Sequence, residues 1–401
     1  MDDKFPKDEN SAKADFVVPE SGPGEEAANF RAPRQEFLGG GGSPEIKPPN
    51  PTEGSSRESL DRKFVEVNGT RVSYIERGNP NGIPIMYIGG YMSSASGDRW
   101  FLDALEGKIP NSKGLRALSE QKSASAERLR ENLAGLEQKY RILDLELPGF
   151  GKSSPLKEEA TLDRMADFAA EFEKVIGVEK AIIFGSSMGG IVAIKLASRH
   201  PEAVKALFLQ GVMTQPSDMD KKAYKAAQWA TSPYLPIRYI LLIPGIAPRV
   251  FSFLAKTDKD FNMSEEKAQD AKIEGAKLAH VKTALSTLRE IGRDIGQDIE
   301  RVQCPVVIID GSAAAMVTYD RQKMAAQKFP EQTFTYEKGP RTKTVNAIPL
   351  AVTEAFGEQG HSVVNTAPEI LAVLVDKMSD KLLGLTCANE NNDPTPKVEP
   401  R

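Results

Sequence analysis

In Gly185-Ser186-Ser187-Met188-Gly189-Gly190, Ser187 has a glycine two positions away on each side. A serine hydroxyl attacks a carbonyl carbon when a neighbouring base takes its proton. The apolar run Ala181-Ile182-Ile183-Phe184 precedes the motif, and Ile191-Val192-Ala193-Ile194-Lys195-Leu196-Ala197-Ser198 follows it. That order reads as strand, sharp turn and helix. So tight a turn needs glycine on both flanks, because a β-carbon there would meet the adjoining strand or helix. Ser187 then stands clear of a sheet edge, at a helix N-terminus whose free amides favour developing negative charge.

The elements that must position this serine are legible on either side. Residues 64–78 form two alternating strands around Asn68-Gly69, the dipeptide that a type I′ hairpin demands. Pro84-Ile85-Met86-Tyr87-Ile88-Gly89-Gly90-Tyr91 is a buried strand ending in a glycine turn, and residues 140–153 give another strand and the turn Pro148-Gly149-Phe150-Gly151. With the serine turn, these stretches resemble the α/β-hydrolase superfamily, in its branch with a helical cap. The resemblance covers roughly residues 62–212 and 300–380. It implies an α/β fold, an eight-stranded, mostly parallel sheet with helices on both faces, an inserted helical cap and a serine nucleophile.

The resemblance also assigns roles. The chain has three histidines. His361, in Gly360-His361-Ser362 before a final helix starting near Pro368, falls where the superfamily holds its base. His200 ends the helix after the serine turn, where a histidine suits the helix dipole, and His280 lies among Lys and Ala on an expected solvated helix face. Met188 and Tyr91 would donate the oxyanion amides. Gly89 stands where the family carries a histidine, so the usual side-chain support of that loop is missing. The acid of the triad is missing too: its place after the penultimate strand holds Ala314, and an alternative place, at the end of the strand before the cap, holds Gln210. Glutamine accepts a hydrogen bond from imidazole but cannot neutralise imidazolium. Asp310 and Asp320 are further candidates for orienting the base.

Gly149-Phe150-Gly151-Lys152-Ser153 ends like a phosphate-binding loop, but Glu146 occupies the position that such a loop gives to glycine, so no nucleotide is implied.

Residues 1–60, rich in Pro, Gly, Glu and Ser, lack periodic apolar spacing and are expected to be a disordered tail, as are residues 386–401. The hydrolase core is expected over 61–212 and 301–385, and the cap over 213–300. Inside the cap segment, residues 234–254 are unusually apolar and are broken by Pro236, Pro244, Gly245 and Pro248 into short helices. That face either packs on the core or lines an apolar acyl pocket. Residues 97–138 exceed the usual connection; Leu129, Leu133 and Leu136 mark an amphipathic helix there, and residues 162–177 mark another, with Leu162, Met165, Phe168, Phe172, Val175 and Ile176 on one face.

The whole chain has 401 residues, 40% apolar and 27% charged, which suits a globular fold. Its small, unclustered net charge of −4 gives no argument for nucleic acid or an anionic membrane as partner, so neither nucleic acid nor a membrane span is expected. Two cysteines and three histidines without ligand spacing give no metal site, and no cofactor is expected. No apolar stretch approaches the roughly 20 residues that span a bilayer, and no leader pattern opens the chain, so the expected location is cytoplasmic. Two readings stand: a serine hydrolase acting on a small, apolar acyl substrate, or a non-catalytic homologue that binds a ligand or protein partner.

Overall fold

The computed structural model describes residues 62–91, 93, 98–108, 124–215, 246, 278–291, 293–309, 328–329, 332–338, 341–347, 350–352, 368–383 and 385–387. The expected tail over 1–60, most of the cap segment, and His361, Asp310, Asp320 and Ala314 lie outside them. Strands β1 (Arg62–Val67) and β2 (Thr70–Gly78) form the expected hairpin. Both turn residues have positive φ, 49° at Asn68 and 71° at Gly69, which is the backbone of a type I′ turn.

Strands β3 (Ile83–Ile88), β4 (Tyr140–Leu145), β5 (Ala181–Ser186), β6 (Val204–Gln210), β7 (Val306–Ile309) and β10 (Leu350–Val352) join the hairpin in one sheet of order β1-β2-β4-β3-β5-β6-β7-β10. From β4 to β10 every neighbouring pair is parallel, so those strands end along one edge. The middle strands are almost wholly apolar because both of their faces are covered. A second sheet, which the sequence reading did not anticipate, has the order β11-β8-β9, from β8 (Gln332–Lys338), β9 (Arg341–Ala347) and β11 (Leu385–Cys387). Thr386 and Cys387, assigned to the disordered tail, are therefore strand residues; pairing with β8 supplies backbone partners that local composition does not reveal.

Alternation along each strand sorts the side chains into two cores. Met86, Ile88, Ile183, Leu207, Leu209 and Ile308 point to the face covered by helices α3 (Leu162–Val175) and α4 (Met188–Arg199). Ile85, Tyr87, Ile182, Phe184, Phe208 and Ile309 point to the other. There they meet helices α1 (Arg99–Leu105), α2 (Ala124–Ala134) and α7 (Pro368–Leu383). Phe184 sits at the centre of the second core, with ring centroids 4.7 Å from Phe101, 5.7 Å from Tyr87 and 6.5 Å from Phe208.

Helix α3 follows its apolar spacing, and the Thr161 hydroxyl caps it by accepting the Arg164 N–H at 3.2 Å. Val175 departs from the expected buried face. It is 49% exposed, because it lies at the margin of the apolar stripe in the last turn, just before Gly177 reverses the chain at φ 70°. In the expected insertion helix, Leu133 and Leu136 are buried and Leu129 packs beside them. Helices α5 (Leu278–Leu288) and α6 (Gly296–Glu300) close the segment between β6 and β7.

Candidate active site

The sharp turn after β5 is the feature that the two glycines permit. Ser187 has φ 51° and ψ −115°, a backbone region that costs a non-glycine residue about 1–3 kcal/mol. The strain is held by hydrogen bonds on both sides: the Ser187 N–H donates to the Gln210 carbonyl at 2.7 Å, and the Gly190 N–H donates to the Ser187 carbonyl at 2.9 Å. A β-carbon on Gly185 would lie 2.6 Å from the Gly189 oxygen, and one on Gly189 would collide with the Ile88 carbonyl oxygen. Ser187 is half-buried among fully buried neighbours, and it precedes α4 without capping it. Among the described residues its hydroxyl has no hydrogen-bond partner. Met188 heads α4, where the first amides have no helical acceptor.

The loop after β3 runs against this serine. A β-carbon on Gly90 would sit 3.4 Å from the Ser187 β-carbon. The loop is closed by the Ser93 N–H donating to the Gly90 carbonyl at 3.1 Å. Its support replaces the missing histidine by other means. The Ser93 hydroxyl donates to Asp98 Oδ2 at 3.1 Å, and the Tyr87 hydroxyl donates to the same oxygen at 2.7 Å. Burial, and then the Asp98 charge, hold the Tyr87 phenol well above the ordinary tyrosine pKa. Tyr91 is tied to α5: its hydroxyl donates to the Ala284 carbonyl at 2.9 Å.

Neither Ser93 nor Asp98 was singled out from the sequence. The available signal was Tyr87 itself, since a tyrosine in a buried strand needs a partner for its hydroxyl.

Gln210 is buried at the end of β6, and its Oε1 accepts the Ser186 hydroxyl at 2.8 Å. The oxygen expected to orient an imidazole is thus engaged with Ser186. Asp144, the penultimate residue of β4, lies on the same sheet face as Tyr87, Ser186 and Gln210. It is 3% exposed, and its Oδ2 has no hydrogen-bond partner. Burial pushes its pKa up to about 8, and the nearby Glu146 and Asp98 charges add to that rise. Asp144 and Glu146 line a small pocket with Gly89, Gly90, Ser93 and Phe150, beneath the loop that faces Ser187.

The phosphate-loop lookalike is a structural turn. Glu146 folds back into it, accepting the Lys152 N–H at 2.8 Å and pairing with Arg62 at 2.6 Å. His200 has the structural place expected of it, with a ring nitrogen 2.8 Å from Asp167 beside Arg199. His280 does not: it is buried on α5, not solvated, because that helix packs inward through Val281 and Ala284. Among the described residues, no group of three His, Cys, Asp or Glu side chains could hold a metal ion, and no helix is long and apolar enough to cross a membrane.

A family profile described as alpha/beta hydrolase fold matches residues 123–230, which include the serine turn and its flanking strands. The described residues have the α/β-hydrolase fold. Its similarity to curated proteins is partial. A dihydrolipoyllysine-residue acetyltransferase component of an acetoin cleaving system from Cupriavidus necator is 31% identical over 147 residues, which are 37% of this chain and 31% of that protein. A putative carbamate hydrolase, RutD, from a Caulobacter species is 23% identical over 215 residues, 50% of this chain and 73% of the relative. The first of these matches therefore spans about a third of the relative's length. A thermophilic esterase from Thermogutta terrifontis shares the α/β-hydrolase fold with a TM-score of 0.52, at 16% identity, over 80% of this chain and 98% of that one.

Proposed function

We propose that this α/β-hydrolase fold protein is a serine hydrolase that cleaves an ester, thioester or related acyl bond of a small, apolar substrate without a cofactor. The observation that carries the reading is Ser187, held at positive φ in a strained turn, with no partner for its hydroxyl among the described residues. A half-buried hydroxyl held on a strained backbone at the head of a helix suits nucleophilic attack. In this mechanism His361 takes the Ser187 proton as Oγ attacks the acyl carbon, and returns it to the leaving group. The amides of Met188 and Tyr91 receive the oxyanion, a donor pair in which each member contributes about 3–4 kcal/mol to the transition state. Water then attacks the acyl-enzyme, with His361 as base again. Residues 213–300 serve as the helical cap that selects the acyl group. The activities named for the relatives, carbamate hydrolysis and acyl transfer, are of the same carbonyl class.

The test is labelling by a fluorophosphonate probe, with the native protein compared to Ser187→Ala. Stoichiometric labelling that vanishes in the variant supports the reading. The competing reading, a non-catalytic homologue that binds a ligand or partner, draws on Ala314 at the acid position and on Gln210 being bonded to Ser186. A native protein that the probe leaves unlabelled would favour it.

A further inference from the structure

Tyr91 carries two groups with separate attachments. Its backbone amide belongs to the loop against Ser187, and its phenol donates to the Ala284 carbonyl inside helix α5 at 2.9 Å. The acceptor is well fixed. Ala284 is 1% exposed, and the Thr287 hydroxyl also donates to its carbonyl at 3.2 Å. Burial raises the Tyr91 pKa, which keeps the phenol a neutral donor across the physiological range. The tyrosine ring meets Phe150 edge-on, with centroids 6.3 Å apart.

Phe150 in turn belongs to a turn that is pressed onto the same helix. Gly149, at φ 79°, lies so near Thr283 that a β-carbon on it would stand 2.8 Å from the Thr283 β-carbon. Two residues past the end of α5, Glu290 accepts the Leu162 N–H that opens α3, at 2.5 Å. Helix α5 is therefore braced against the 147–153 turn and the start of α3, and Tyr91 hangs from it by one hydrogen bond.

We infer that the Tyr91 phenol is a positioning group that sets the oxyanion amide from helix α5, so that the rate of acyl transfer depends on where the last long helix of the 213–300 segment sits. The inference rests on the serine-hydrolase reading above. Oxyanion donors act only when they stand within hydrogen-bond distance of where the charge develops. A misplacement of about 1 Å can cost on the order of 100-fold in rate. The ring packing and the two ends of the loop, at Ile88 and Ser93, limit how far the amide can move once the phenol is released. The expected loss is smaller for that reason.

The test is Tyr91→Phe, which keeps the ring against Phe150 and removes only the hydroxyl. On a short-chain p-nitrophenyl ester kcat should fall roughly 10-fold, with KM within two-fold of native. Affinity for a trifluoromethyl ketone, which forms an oxyanion at Ser187, should weaken in parallel with kcat. Gly149→Ala, which pushes on α5 through Thr283, should give the same kcat-selective loss by a different route. The double variant should lose less than the product of the two.

An unchanged kcat in a folded Tyr91→Phe protein would overturn the inference, as would a loss confined to KM. Those outcomes require a native protein that labels at Ser187, so they leave the proposed function standing. A native protein without Ser187 labelling overturns both.

Discussion

Ser93 stands where Gly89 has no side chain. A β-carbon on Gly89 would lie 2.6 Å from the Ser93 hydroxyl oxygen, so the glycine is what lets that hydroxyl reach Asp98 and close the loop. Replacing Gly89 by alanine should therefore expel Ser93 from its bond and slacken the loop beside Ser187. We expect a stability loss of about 1–2 kcal/mol and a kcat about 10–100 times lower, since a buried acceptor loses one of its donors and the oxyanion amide shifts. Ser93→Ala should cost less stability, because Tyr87 still holds Asp98. Urea unfolding and ester turnover on the two variants check this; equal behaviour of native and Gly89→Ala proteins would contradict it.

Gly189 is the least replaceable residue of the serine turn. Its missing β-carbon would meet the Ile88 carbonyl oxygen and come within 2.5 Å of the Gly89 oxygen, both backbone atoms that cannot rotate away. Gly189→Ala should displace α4 from β3, lowering stability by roughly 3 kcal/mol or more and abolishing fluorophosphonate labelling. Gly177→Ala is the control. It has positive φ but open space around it, so it should cost only about 1 kcal/mol and leave labelling intact. Thermal melts and probe labelling of both variants separate steric collision from backbone strain.

Asp144 predicts a pH dependence of stability. Its folded pKa is raised to about 8 from an ordinary 3.8, by burial and then by Glu146 and Asp98, while Arg77 and Arg62 act the other way. Between those values the folded chain binds a proton that the unfolded chain has lost, so stability falls as pH rises from about 4 to 8 and levels off above. Asp144→Asn keeps the shape without the ionisation. The variant should be more stable than native at pH 8, by roughly 1–3 kcal/mol, and nearly equal to it at pH 4. Glu173, raised to about 9 by burial and Glu202, slopes the same way in both proteins and cancels in the difference. Denaturation midpoints at four or five pH values suffice; a gap that does not widen toward pH 8 would show that Asp144 ionises in the native state as readily as in the unfolded chain.

The base and its missing acid make a paired expectation. His361→Ala should abolish ester hydrolysis, while His200→Ala leaves turnover within a few-fold of native, because His200 is committed to Asp167. Ala314→Asp should raise kcat roughly 10–100-fold, less than the full value of a triad acid, since effects within a triad are not additive. Damage from His200→Ala equal to that from His361→Ala would refute the assignment of the base.

The strands, the type I′ hairpin and the serine turn were legible because each depends on local pattern: alternation, Asn-Gly, and glycines flanking Ser187. The small β8, β9 and β11 sheet was not, since its pairing joins Leu385–Cys387 to residues some fifty positions earlier, and nothing local marks such a partner. In the candidate site, Ser187, Met188, Tyr91 and Gln210 fall at the carboxyl ends of adjacent strands or just beyond them, as the motif order implies. Their support was hidden. Asp98 and Ser93 are ordinary loop residues until the fold brings Tyr87 over them, and His280 reads as a surface residue because Lys and Ala surround it in sequence but not in space.

Helix α7 is clasped to the sheet: Lys139 bridges Asp376 and Asp380 at 2.6 and 2.7 Å, and the Tyr140 hydroxyl donates to Asp376 at 2.6 Å. It also brings Leu371, Leu374, Val375 and Met378 onto the core that surrounds Phe184. A chain made from its N-terminus therefore emerges from the ribosome with α1 and α2 available to that face of the sheet and the part under α7 still uncovered. At synthesis rates of about 5–20 residues per second, the 187 positions from Ala181, where β5 begins, to Pro368 take on the order of 10 to 40 seconds to appear. Throughout that interval the patch that Leu371, Leu374, Val375 and Met378 will cover stays open on the nascent protein, and the core around Phe184 is completed only once translation has passed the end of α7.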